Sequence, residues 1–128
     1  MKNTFIWILK IFIGLIALML LKQGFMWSFL PEMNLESHNI VTNSNLGLNM
    51  IKSEIGAGLF SVSIFLLLYV IKGQKWFLPA TIMVGFFLVI RMISFITDGY
   101  HKIIVTIIIL EAFILVVLFT LNKLQSKK

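Results

Sequence analysis

Five polar side chains stand inside or at the edge of otherwise apolar sequence: Glu54, Arg91, Ser94, Asp98 and Glu111. Arg91 is the most conspicuous, in the middle of FFLVIRMISFITDGYHK at 86–102. A charge near the centre of a bilayer costs about 2.5–3.5 kcal/mol even on the lenient insertion scale. A guanidinium and carboxylates kept in such a place can hold two segments in register, bind a ligand, or carry a proton. On a helix, Arg91, Ser94 and Asp98 fall at i, i+3 and i+7 and share one stripe. Glu54, Ala57, Gly58 and Ser61 form a second stripe, and Gly56, Ala57, Gly58 and Ser61 are small enough to let another helix backbone come close. The five polar residues are therefore expected to converge as a ligand-binding or structural cluster.

Other chemistries lack their residues. Cysteine is absent, which excludes disulfides, thiol nucleophiles, thiolate metal sites and iron–sulfur clusters. His38 and His101 both fall in expected connections, so a haem held between two spans by a histidine pair is not expected. No nucleophile with a base, metal-ligand set or cofactor motif is found, so no catalytic residue, metal or cofactor is assigned. Glu54, Asp98 and His101 could supply an acid or base near the surface, but nothing selects a reaction.

The elements that position these residues follow from composition. The 128 residues are 59% hydrophobic and 12% charged, where a soluble domain is about a quarter charged. Apolar runs cover 5–21, 53–71, 76–97 and 103–121, each long enough to cross roughly 30 Å of hydrocarbon as a helix. Lipid cannot satisfy unpaired backbone groups, so runs of this length must be helical. The fold class expected is an all-α integral membrane four-helix bundle, up-down-up-down, in one transmembrane domain over 1–128. The first run is expected to stay as a helix: Lys10 interrupts it, no small-x-small cleavage site follows, and KQGFMWSFLP remains aromatic.

Pro79 suits the first turn of the third span, and Gly99 a left-handed cap after Asp98. The fourth span then returns antiparallel. At 1.5 Å per residue, Arg91 lies roughly 12 Å and Glu111 roughly 15 Å from that turn. Opposite charges at matching depth on neighbouring helices are expected to be partners. Glu111 is the deepest acid, so either Arg91 reaches it or it holds a proton.

The net charge of +6 is distributed for a membrane surface, with no nucleic-acid partner implied. Lys2, Lys10, Lys72, Lys75, Lys123, Lys127 and Lys128 fall on one side, and Lys22, Lys52 and Lys102, diluted by Glu32, Glu36 and Asp98, on the other. The positive-inside rule then places both termini and the KGQK connection in the cytoplasm. The long connection between spans one and two is outside. Phe25 to Leu30 either prolongs span one or lies in the headgroup layer, and the alternative makes this segment a lid over the outer half of the bundle.

The run SEIGAGLFSVSIFLLL at 53–68, Arg91 with ITDGY after it, and Glu111 in the last span resemble an uncharacterised four-span bacterial membrane family, domain of unknown function 4345, which is similar to the DoxX-like group. The likeness covers spans two to four, some 70 residues, and its positions here are Glu54, Gly56, Gly58, Arg91, Asp98 and Gly99, with Ala57 where the family has a plain Gly-Gly pair. Some DoxX-like members are membrane subunits of quinone-linked oxidoreductases, so the resemblance implies a subunit role. The function expected is an accessory or binding subunit with a polar pocket in the outer half of the bundle for a lipid, a quinone or a partner helix, within a larger membrane complex or a homo-oligomer. The alternative is a small proton-coupled transporter using Glu111 or Glu54. Small four-span drug exporters carry their carboxylate in the first span, which here has no acid.

Overall fold

The computed structural model describes residues 2–38, 40–42, 44–98 and 102–126. Five helices follow one another: α1 (Lys2–Phe29), α2 (Pro31–Ser37), α3 (Asn45–Lys72), α4 (Phe77–Asp98) and α5 (Lys102–Ser126). A 3₁₀ turn, Gln74–Trp76, leads into α4. No strand occurs among the described residues. Four helices are long and apolar enough to cross a membrane, with segments of 27, 28, 24 and 25 residues. At 1.5 Å per residue each exceeds roughly 30 Å of hydrocarbon. Their outward surfaces fit lipid: α1 exposes Trp7, Ile8, Ile11, Leu15 and Met19, and α5 exposes Ile109, Val116 and Phe119. In water such a surface would aggregate, whereas in hydrocarbon it costs nothing. The chain is thus an all-α, multi-pass membrane protein.

The expected connection between the first two spans is largely helical. Helix α1 continues through Phe25 to Phe29, so that stretch prolongs the span. Pro31, whose missing N–H is no loss in a first turn, then opens α2. Helix α3 begins at Asn45, eight residues before the apolar run at 53. The reason is local: Ser44 is the N-cap, and its Oγ accepts the Gly47 N–H at 3.1 Å. Within α3, residues Ile51–Gly56 form a π-helical turn.

Two compact units make up the chain. The first comprises Met1–Gly14 and Phe65–Lys128, so it contains parts of all four long helices. Its buried apolar residues are Ile6, Ile13, Leu66, Tyr69, Ala80, Val84, Ile114, Val117, Leu118 and Leu121. Rings tie the helices together: Phe12 meets Phe113 edge-on at 5.7 Å, Tyr69 meets Phe77 at 5.9 Å, and Phe77 meets Phe119 edge-on at 5.3 Å. Contacts run from Phe77 to Phe119 and from Arg91 to Glu111, rising along α4 while falling along α5. The two helices are therefore antiparallel. The turn from α3 to α4 is made by Gly73 at φ +82°, a backbone that favours glycine.

The second unit, Leu15–Ile64, contains the rest of α1, all of α2 and the start of α3. Here α1 and α3 approach almost backbone to backbone. A Cβ added to Gly56 would run into Ser28 Oγ and stand 3.0 Å from Ser28 N, and one added to Gly24 would stand 3.0 Å from Phe60 N. Trp27 is buried, its ring 5.4 Å from that of His38. His38 Nδ1 in turn lies 2.8 Å from the Asn34 carbonyl oxygen, at the end of α2.

Candidate functional site

Helix α4 is regular over 77–98, so Arg91 and Ser94, three residues apart, lie along one stripe of it. Arg91 faces α5, where its Nε donates to Glu111 Oε1 at 2.8 Å. The neighbours on either side are more exposed: Ile90 is 60% and Met92 50% exposed, against 31% for the Arg91 side chain. Glu111 continues the buried stripe Ile114, Leu118, Leu121 of α5, and its side chain is only 12% exposed. The bond is one-armed: it uses Nε and one carboxylate oxygen, while Glu111 Oε2 is buried and has no hydrogen-bond partner among the described residues. A fork-to-fork pair would have used both oxygens.

The pair stands at a change in packing. From Gly85 to Thr97 on α4, and from Lys102 to Phe113 on α5, no residue is fully buried. Beyond it, towards the end of α4 and the start of α5, Met92, Phe95, Ile96, Val105 and Ile108 line an open apolar groove of about 210 Å³. Phe95 lies one helical turn from Arg91, and Ile108 one turn from Glu111, so the groove begins where the ion pair ends.

The other expected members are placed as follows by the fold. Asp98 is the last residue of α4, while Gly99 and His101 lie outside the described residues. Ser94 is half-buried. Glu54 is exposed on the π turn of α3, within the second unit. Of the four small residues expected to pack, Gly56 is buried in the α1–α3 crossing, Gly58 and Ser61 are half-buried, and Ala57 is exposed. Ser61 Oγ donates to the Ala57 carbonyl, back along its own helix. The complementary surface comes from Gly24 and Ser28 of α1, whose four-residue spacing is itself a small-x-x-x-small signal. Lys10 turns back along α1 and places Nζ 5.7 Å from the Trp7 ring centroid, so its charge is carried by an aromatic face. Among the described residues no three His, Asp or Glu side chains gather as a metal site.

Chemically, a guanidinium with spare N–H groups beside an apolar slot can hold an apolar partner that carries one hydrogen-bond acceptor. No family model, curated protein or solved structure matches this chain.

Proposed function

We propose that this protein is a non-enzymatic accessory subunit of the cytoplasmic membrane, and that its α4–α5 hairpin receives a membrane-spanning helix of a partner protein. The observation that carries the reading is Arg91 itself: 31% exposed, bonded to Glu111 through Nε alone, at the mouth of an apolar groove. Its remaining N–H groups need an acceptor in an environment that offers few. Depth favours a helix over a bilayer lipid. The groove lies between Arg91 and the C-terminal end of α4, so a lipid entering from that end would bring its tail, not its polar head, to the guanidinium. A helix offers apolar knobs for the groove and a polar side chain or carbonyl one to two turns deeper. The likeness to DoxX-like membrane subunits supports a subunit role.

The test is native mass spectrometry of protein purified in mild detergent. The wild type is expected to carry a second polypeptide, and Arg91→Ala to lose most of it while keeping a cooperative thermal melt. Equal retention by both would overturn the proposal.

A second reading, a proton-coupled transporter, is favoured by the buried and unpartnered Glu111 Oε2. Protonation would give that oxygen a hydrogen to donate. Substrate-driven proton flux in proteoliposomes, abolished by Glu111→Gln, would establish it. Flux unaffected by the substitution would remove Glu111 from that role.

A further inference from the structure

We propose that the corner formed by the end of α1, the start of α2 and the π turn of α3 binds the headgroup of a zwitterionic phospholipid. A pocket of about 190 Å³ there is lined by Phe29, Leu30, Pro31, Glu32, Met33 and Lys52. Its walls are fixed by the fold. Helix α1 ends at Phe29, and Pro31 starts α2 one residue later, which turns Glu32 and Met33 onto the rim. Lys52 belongs to the π turn that ends at Gly56, where α3 rests on Ser28, the residue before Phe29. The pocket therefore lies one turn from the tightest contact of this unit.

Two opposite charges face this space without joining. Among the described residues, Glu32 and Lys52 form no ion pair or hydrogen bond with each other or with any third residue. A molecule whose own opposite charges are linked by a short spacer can meet both. A phosphate accepts from the Lys52 ammonium, and an ammonium two carbons away donates to the Glu32 carboxylate. An anionic headgroup would satisfy Lys52 but meet Glu32 as a like charge, and a cationic one would do the reverse.

The apolar side of the pocket identifies the ligand as a lipid and not a free phosphoester. Phe29 is 64% and Met33 60% exposed, Leu30 lies between them, and Phe25 stacks along α1 with its ring 4.8 Å from that of Phe29. These surfaces gain nothing from a small polar zwitterion but cover the first carbons of acyl chains. The place fits too, because the pocket sits where the apolar length of α1 ends, at the level of lipid phosphates. All six residues belong to the second unit, so the proposal stands apart from the α4–α5 reading.

Native mass spectrometry of the full chain, with equimolar phosphatidylethanolamine and phosphatidylglycerol in mild detergent, tests it. The wild type is expected to retain the ethanolamine lipid preferentially. Glu32→Gln should lower the ratio of the two retained lipids by about tenfold, the equivalent of one charged hydrogen bond, and Glu32→Lys should reverse it. Lys52→Gln, on a different helix, should reduce retention of both lipids and provides the test if the Glu32 variants fail to fold. No preference in the wild type, or a ratio unchanged by Glu32→Gln, would overturn the proposal.

Discussion

At the scale of single residues, the same glycine has opposite meanings at different places. Gly56 is pressed on Ser28, where any side chain would meet backbone as well as the hydroxyl. Gly85, in the interior of α4, would place a Cβ in open space. Overpacking typically costs about 1–3 kcal/mol, whereas replacing a helical glycine that touches nothing gains about 0.5–1 kcal/mol through lost unfolded-state freedom. Gly56→Ala is accordingly expected to lower the thermal midpoint in detergent, and Gly85→Ala to leave it unchanged or raise it. Equal effects from the two would mean that the α1–α3 crossing is not a close one. Arg91 and Glu111 follow the same logic of place. Each would be expensive alone in hydrocarbon, and their shared bond is what makes either tolerable.

At the scale of elements, matched depth was enough to pair α4 with α5, because both helices are regular and 1.5 Å per residue measures them truly. The four apolar runs and Pro79 in a first turn were legible for the same reason: hydropathy and proline geometry act locally. Helix α3 defeated that arithmetic. A π turn takes more residues per revolution than an α-helix, so a stripe counted at 3.6 from Glu54 drifts around the helix by the time it passes Gly56. Ala57, counted into the packing face, is exposed together with Glu54, while Gly56 is buried. No residue type announces a π turn, since it forms when tertiary contact stabilises an extra residue, here beside the Gly56–Ser28 contact. The helical start at Asn45 was also hidden, because a polar, asparagine-rich stretch reads as a loop until Ser44 is recognised as its cap. Gly24 and Ser28 carried a readable spacing, but they lie beyond the first apolar run, where attention to hydropathy does not reach.

At the scale of the whole molecule, packing is uneven in a way that bears on its role. Within the first unit the buried residues of the hairpin gather where α4 begins and α5 ends, around Ala80, Val84, Leu118 and Leu121, while the described residues of its other half include none that is fully buried. A hairpin whose described residues include no fully buried one along half its length leaves much of that half to lipid or to another protein. Which side of the membrane it faces follows from charge. Lys72, Lys75 and Lys123 cluster at the well-packed end, and Gln74 reaches across to the Asn122 carbonyl there. The positive-inside rule leads us to propose that this end is cytoplasmic, with Ser44, before α3, expected on the opposite side. The chain has no native cysteine, so single introduced thiols report cleanly. In intact spheroplasts, Ser44→Cys is expected to react with a membrane-impermeant maleimide and Ser126→Cys only after lysis. The reverse pattern would turn the molecule over and place the Arg91 groove in the inner leaflet, where a partner helix would have to be met from the cytoplasmic half of the bilayer.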